Sequence, residues 1–157
     1  MQVKRPKIGD VIEIDTGEGL AFAHYSHRDK LWGYLLRVYN RRYPARPTDL
    51  SAVVEGEPTY YQFFPLGAAV HRGIFTIAGH VPLSEKAKVL PHFREGNPDR
   101  EGKVKLWSIW DGEQSRRVGR LTEEVRKLSP INVCNDTFLI ESILSGWTPE
   151  TDPTLDL

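Results

Sequence analysis

The chain has 157 residues, a length typical of one domain, and a domain of this size buries about 70% of its unfolded surface without needing disulfides. Its 21 basic and 21 acidic side chains balance to zero net charge, which gives no general attraction to nucleic acid or anionic membranes. One cysteine, Cys134, excludes an intramolecular disulfide, and no stretch approaches the ~18 apolar residues of a membrane span. Since the N-terminus also has no apolar signal segment, we expect a single cytoplasmic domain over residues 1–157.

The first predicted element is a β-hairpin over residues 8–27. Ile12 and Ile14 alternate with their neighbours on the first arm, which is the period of two that a half-buried strand needs. The linking stretch, 15–19, holds two glycines, and glycine takes the positive φ values of a tight turn at little cost. We therefore predict two strands joined by a tight turn, on which later strands are added.

Further strands are predicted where β-branched and aromatic residues cluster. These stretches are 31–39, which is apolar on both faces as in a covered central strand, 59–64 and 74–78. The charged or proline-bearing segments between them are predicted as connections: 40–58, with a short helical turn at 47–53, 65–73 and 84–102.

The last third of the chain begins with a strand over residues 104–110, in which residues destined for opposite faces alternate. One face should hold Val104, Leu106, Ser108 and Trp110, and the other Lys105, Trp107 and Ile109. The following Asp-Gly pair at 111–112 favours a tight turn, so 115–119 is predicted as the partner strand.

Two short helices complete the predicted elements. Thr122 can cap the first, Asn135 or Asp136 can cap the second, and Gly146 can end it. The acidic, proline-bearing segment 148–157 is expected to be a flexible tail. The predicted apolar stripe of the second helix consists of Phe138, Leu139, Ile143 and Leu144.

The order of the elements, with strands first and helices last, defines the fold class. Such an order argues against alternating β-α-β units and for an antiparallel sheet with helices at one end. We therefore predict a mainly β (α+β) fold, either a strongly bent antiparallel sheet or a half-open small barrel with short C-terminal helices.

Two parts of the chain carry a recognisable pattern. The first is IGDVIEI at residues 8–14, followed by the turn and by LAFA at 20–23. The second is WSIWDG at 107–112, followed by VGRLTEE at 118–124 and Leu128, and the closing helix with ESI at 141–143 fits the same plan. Together these segments resemble the bacterial immunity protein 26 family, which is encoded beside polymorphic toxins.

The resemblance implies a protein that binds and neutralises a cognate toxin inside the producing cell. It transfers no catalytic residues, since a toxin inhibitor needs a complementary surface rather than reaction chemistry. We therefore expect no enzymatic activity, no cofactor and no metal site, and a toxin protein rather than a membrane or nucleic acid as the partner.

Arginine and tyrosine alternate in one stretch of the chain, and these residue types are enriched at interface hot spots. Loops at the end of a rigid sheet also commonly carry specificity. We therefore predict a partner-binding site formed by Arg37, Tyr39, Arg41, Arg42, Tyr43 and Arg46.

An acidic surface is the alternative binding site. A toxin that acts on nucleic acid presents a basic cleft, which an acidic inhibitor would complement. The acidic candidates are Glu13, Asp15, Glu18, Glu150, Asp152 and Asp156, and the sequence does not choose between the two surfaces.

Two other functions compete with toxin binding. The Arg37–Arg46 cluster would suit a small-barrel module that binds nucleic acid, because arginine with aromatic neighbours is what a nucleic-acid strand meets in such modules. Cys134 precedes a capped helix, where a thiolate is favoured, so an enzyme that uses Cys134 and a histidine is the third interpretation.

Overall fold

The structure is a computed structural model that describes residues 4–156 of the chain. It is mainly β, as predicted: the described residues form two sheets and several short helices. Neither sheet closes into a barrel.

The chain divides into two compact units, whereas its length alone predicted one domain. The first unit comprises the described residues up to Val89 together with Asn132–Gly146. The second comprises Leu90–Ile131 and the described residues from Trp147 onwards. Each unit is therefore assembled from two separate segments of the chain. A local sequence pattern does not predict such a division.

The first unit is built on a five-stranded antiparallel sheet with the strand order β4-β3-β2-β1-β5. The predicted N-terminal hairpin is confirmed as β1 and β2, which pair Asp15 with Leu20 at the turn. The strands are β1 (Asp10–Asp15), β2 (Leu20–Asp29), β3 (Gly33–Tyr43), β4 (Tyr60–Phe64) and β5 (Thr76–His80).

The turn between β1 and β2 shows why glycine is required there. Thr16 donates its hydroxyl hydrogen bond to the Gly19 carbonyl over 2.7 Å, which closes the turn. Gly19 has a φ of 106°, and a Cβ at this position would lie 3.2 Å from the Tyr43 carbonyl oxygen. The glycine therefore allows the turn to approach the end of β3 closely.

Both faces of the first sheet are covered. On one face Val11, Phe22 and Tyr39 form a core cluster with Val53 and Val54, which lie in and after the short helix α1 (Leu50–Val53). Central strands buried on both faces read as continuous apolar runs, which is the pattern that predicted β3. The other apolar positions of β1 to β3, which have no exposed surface, are Ile12, Ile14, Ala21, Ala23, Leu35, Leu36 and Val38.

Two short helices lie in segments that the sequence had predicted as connections. Helix α1 falls within the predicted helical turn, and Asp49 caps it by accepting hydrogen bonds from Ser51 N and Ala52 N. Helix α2 (Leu66–His71) was missed, because its N-cap is Pro65, which provides no side-chain acceptor as a signal.

The second unit contains a four-stranded sheet with the order β8-β7-β6-β9. Strand β6 corrects the prediction of a loop over residues 84–102, since its Phe93 and Arg94 have no exposed surface. The strands are β6 (Phe93–Glu95), β7 (Trp107–Trp110), β8 (Ser115–Gly119) and β9 (Ser129–Pro130), with β6 and β9 parallel.

The predicted alternation over residues 104–110 holds only in β7. Trp107 and Ile109 are buried together there, and Val104 is buried with them although it was assigned to the opposite face. Leu106, predicted beside Val104, is 59% exposed, because the regular strand begins only at Trp107.

The two predicted C-terminal helices are confirmed with their caps. Thr122 caps α3 (Glu123–Lys127), and Asn135 caps α4 (Asp136–Ser145), which ends at Gly146 with a φ of 71°. Leu139 and Ile143 are buried as predicted, but Phe138 is 55% exposed and is not part of a buried stripe. Within residues 4–156, no helix has the length and apolar character needed to cross a membrane.

Residues 148–156, which were expected to belong to a flexible tail, pack into the second unit. They form a short 3-10 helix (Pro149–Thr151), and Leu155 is 1% exposed in a core cluster with Val104 and Trp107. The burial of Leu155 therefore holds in place a segment whose prolines and acidic residues had predicted a flexible tail.

Candidate functional site

Arg37 and Tyr39, two of the predicted partner-binding residues, are buried inside the first unit rather than exposed on its surface. Arg37 is 4% exposed and donates hydrogen bonds to the Gly56 carbonyl over 2.9 Å and to the Tyr61 hydroxyl over 3.1 Å. Tyr39 is 9% exposed and donates to the Val54 carbonyl over 2.9 Å. Both side chains therefore hold the segment after α1 against the sheet.

The remaining four predicted residues lie at the exposed end of β3 and in the segment after it. The Arg41 guanidinium lies over the Tyr43 ring, 4.9 Å from its centroid, and Tyr43 contacts Phe22 edge to face at 5.7 Å. This packing orders a planar cation and an aromatic ring before any partner binds, which lowers the entropy lost on association.

Arg46 joins the predicted basic surface to the predicted acidic one. Its Nε donates a hydrogen bond to Glu13 Oε1 over 2.7 Å, and this hydrogen bond raises the pKa of Arg46. The β1–β2 turn, which carries Asp15 and Glu18, contacts the end of β3 through Gly19 and Tyr43. Three of the acidic candidates therefore lie next to the exposed basic candidates, and we call this set of residues the charged surface: Glu13, Asp15, Glu18, Arg41, Arg42, Tyr43 and Arg46.

The other acidic candidates belong to the second unit. Asp152 accepts a hydrogen bond from Trp147 Nε1 over 3.1 Å and others from Thr154, so its carboxylate is committed to local structure. Glu150 and Asp156 are exposed. The acidic set predicted from the sequence thus divides between the two units.

The charged surface has few cations left for phosphate contacts. Arg37 is buried and Arg46 is paired with Glu13, which leaves Arg41 and Arg42 from the predicted cluster. Sequence-independent binding of nucleic acid depends on the number of phosphates that lysine and arginine neutralise. The arrangement therefore does not favour the nucleic-acid alternative.

A cavity of about 310 Å³ opens beside α1, and we call it the His24 cavity. His24 Nε2 lies 2.7 Å from the Val81 carbonyl and 3.0 Å from the Gly9 carbonyl, so Nε2 carries the proton and donates. Burial lowers the pKa of His24, which keeps the ring neutral, and its Nδ1 makes no hydrogen bond within the described chain. The acidic residues that line the cavity are Asp49 and Glu55.

An exposed apolar surface lies at the opposite end of β3, and nothing in the sequence pattern indicated it. Leu31 is 83% exposed in the β2–β3 turn, and Trp32 beside it stacks on Phe63 at 6.0 Å. Val133, which bridges to Phe63, is 51% exposed. Leu31 was predicted to lie in the strand over residues 31–39, so its exposure in a turn was not expected.

The histidines form separate local contacts. His27 Nε2 donates to the Lys88 carbonyl over 2.8 Å, and His80 Nδ1 lies 2.8 Å from Asp10 Oδ1. Within the described residues, no group of three or more histidine, cysteine, aspartate or glutamate side chains is placed to hold a metal ion.

Cys134 lies just before α4 and is partly buried. Burial raises the pKa of its thiol to about 12, so at neutral pH the protonated form predominates. A thiolate is the reactive form of cysteine, and this environment does not favour it.

Comparisons with known proteins identify no match, either among protein-family models, among curated proteins or among solved structures. The resemblance to the immunity protein 26 family therefore stays a prediction based on the residues that carry it.

Proposed function

We propose that the chain is an immunity protein that binds and neutralises a cognate bacterial toxin, and that the charged surface contacts the toxin. The proposal is supported by the sequence resemblance and by one structural observation. The end of β3 and the segment after it carry the stacked Arg41–Tyr43 pair and the Arg46–Glu13 ion pair.

Such a surface suits protein recognition for a physical reason. Arginine and tyrosine supply large contact areas, and here both are ordered before binding by the sheet beneath them. Charges of both signs lie within one patch, and charge complementarity selects a partner and fixes its register. An interface of standard size would bury about 800 Å² on each partner.

The test begins with the gene next to the one that encodes this chain. Its product should be purified and titrated with the chain by calorimetry. We expect a tight one-to-one complex, and a double Arg41→Ala/Arg42→Ala variant should lose about 2 kcal/mol or more of binding free energy. Arg72→Ala, another exposed arginine of the first unit, is the matched control and should bind like the unchanged chain.

Tyr43→Ala is a less clean variant, because Tyr43 also packs against Phe22 and the core cluster around it. A toxin that binds the double arginine variant with unchanged affinity would place the contact elsewhere on the chain. Absence of any interaction with the neighbouring gene product, and continued toxicity when both are expressed together, would refute the proposed function.

A further inference from the structure

Three exposed apolar side chains of the first unit lie together around the partly buried Trp32. Leu31 is 83% exposed, Phe138 is 55% exposed and Val133 is 51% exposed. Leu31, Trp32 and Val133 line one surface concavity, while Val133 and Phe138 line a second one, so Val133 joins the two. We call these four residues the apolar surface. Contiguous exposed apolar side chains of this kind mark sites of protein interaction.

Contacts beneath the apolar surface hold it in place. The Asp29 carboxylate accepts hydrogen bonds from Leu31 N over 2.8 Å and from Trp32 N over 2.9 Å, which fixes the β2–β3 turn. Trp32 also stacks on Phe63, and Phe63 forms a backbone bridge with Val133. A partner would therefore lose little conformational entropy in ordering these side chains.

One end of the apolar surface is basic. The turn beside Leu31 carries Arg28 and Lys30 against a single acidic residue, Asp29, whose carboxylate is committed to the backbone of the turn. The Arg28 guanidinium lies over the Tyr34 ring, 4.6 Å from its centroid. Within the described residues, neither of the two cations makes an ion pair.

The other end of the apolar surface is acidic. Residues 132–146, which include Phe138 and helix α4, contain Asp136 and Glu141 and no basic residue. Glu141 follows Phe138 by three positions, so the two side chains are neighbours on the surface of the helix. Glu141 is exposed and makes no ion pair with any other described residue.

We propose that the apolar surface is the contact between two copies of this chain, related by a two-fold axis that passes near Val133. A two-fold contact uses the same patch on both copies, so the patch must be complementary to itself. The rotation brings Leu31 of each copy to Phe138 of the other, and the Lys30 end to the Glu141 end. Apolar groups then cover apolar groups, and opposite charges meet on both sides of the axis.

The charge pattern favours a second copy over a partner with charges of one sign. An acidic partner would attract Lys30 but repel Glu141, and a basic partner would do the reverse. The same patch rotated by half a turn satisfies both ends.

A dimer formed in this way leaves the charged surface free. The apolar surface lies at the start of β3 (Gly33–Tyr43) and the charged surface at its end, and 11 extended residues separate the two by about 30 Å. Each copy would therefore still bind its own toxin molecule, and the inference does not depend on the proposed function.

The first experiment is sedimentation velocity of the chain alone over a concentration series. We expect a reversible monomer–dimer equilibrium with a Kd of about 10–100 μM, since four apolar side chains form only part of the about 800 Å² per partner of a standard interface. A chain that stays monomeric up to about 500 μM would overturn the proposal.

Leu31→Ser tests whether the apolar surface forms the contact. Because the side chain is 83% exposed, the fold should persist, and the Kd of the dimer should rise about tenfold or more. Leu106→Ser, at a leucine of the second unit that is 59% exposed, is the matched control and should leave the Kd unchanged. A dimer that the Leu31 variant forms with unchanged affinity would use another surface, and the proposal would be wrong.

A charge exchange tests the two-fold arrangement itself. Lys30→Glu alone, or Glu141→Lys alone, places like charges together on both sides of the axis and should raise the Kd about fivefold or more. The double variant Lys30→Glu/Glu141→Lys reverses both signs and should restore the Kd to within about twofold of the unchanged chain. A double variant that dimerises no better than the single variants would contradict the pairing of the two ends.

The toxin is the other possible occupant of the apolar surface, and the neighbouring gene product distinguishes the two. If the toxin covers this surface, the chain alone should be monomeric and Leu31→Ser should weaken toxin binding, which would overturn the dimer. If the chain dimerises as described but binds no toxin, the dimer stands and the proposed function fails. If the chain dimerises and the Leu31→Ser variant binds toxin normally, both are supported.

Discussion

Strand β3 carries the same pattern, an arginine two residues before a tyrosine, twice on one strand, and the two copies have opposite structural roles. Arg37 and Tyr39 are buried and hydrogen-bonded to the backbone of the segment after α1. Arg41 and Tyr43 lie at the exposed end of the strand, stacked on each other at 4.9 Å. The first pair is covered by the segment after α1, because the carbonyls of Val54 and Gly56 accept its hydrogen bonds.

The comparison shows that residue type does not define a binding surface. A buried arginine needs acceptors for its guanidinium, and here carbonyl and hydroxyl oxygens take that role. An exposed arginine has water instead and is free to exchange it for a partner. Interface enrichment of arginine and tyrosine is therefore informative only after burial is known.

The largest expected effect is on the buried tyrosine. Tyr39→Ala should reduce the free energy of unfolding by about 3–5 kcal/mol, because it removes a packed ring and its hydrogen bond to Val54. Tyr43→Ala should cost clearly less, since Tyr43 is only half-buried. Urea denaturation followed by circular dichroism measures both, and equal losses would contradict the distinction between the two pairs.

The two arginines should differ in the same direction. Arg37→Ala removes hydrogen bonds from a charged donor to Gly56 and Tyr61 and should cost about 2 kcal/mol of stability. Arg42→Ala, at an exposed position, should stay within about 0.5 kcal/mol of the unchanged chain. The opposite ranking in urea denaturation would mean that Arg37 is not held as the structure shows.

The comparison also separates what the sequence could and could not predict. Signals that act within a few residues were read correctly: the glycine turn after β1, the Thr122 and Asn135 caps, and the glycine that ends α4. These depend on local backbone chemistry, which the neighbouring residues determine.

Features that depend on distant segments were missed. Arg94 was placed in a loop, but it is fully buried over the Trp107 ring and donates to the Arg126 carbonyl, and burial lowers its pKa to about 10. Phe138 was placed in an apolar stripe but is exposed. Periodicity predicts which residues share a face and does not say which face is covered.

The sequence indicated only part of the candidate site, because some of its contacts join residues that are distant in the sequence. Arg41, Arg42, Tyr43 and Arg46 do lie together at the surface, whereas the ion pair between Arg46 and Glu13 joins residues that are 33 positions apart. The His24 cavity is formed by β2 and two later segments, so no local pattern could indicate it.

A pH series tests the buried part of β3, where Arg37 lies opposite His24 of β2. Burial lowers the folded-state pKa of His24 below the unfolded value of 6.5, so the unfolded chain binds the proton more readily. Stability should therefore be fully present above about pH 6.5 and fall as the pH drops toward the folded pKa.

Urea denaturation at about pH 7.5 and about pH 5.5 measures this effect, with the higher stability at the higher pH. His24→Gln should reduce the difference in the free energy of unfolding between the two pH values. His71→Ala, at an exposed position, should leave that difference unchanged. A chain that is as stable at the lower pH, or more so, would contradict a buried neutral His24.

The smallest expected effect concerns Cys134, because the burial of its thiol determines how fast it reacts. Burial raises the pKa of its thiol to about 12, so alkylation by iodoacetamide at about pH 8 should be slower than that of free cysteine by an order of magnitude or more. Because the chain has one cysteine, the same protein unfolded in urea is its own control and should react like free cysteine. A folded-state rate equal to or above that of free cysteine would show an activated thiolate and restore the enzyme interpretation, since a reactive thiolate is what a cysteine nucleophile requires.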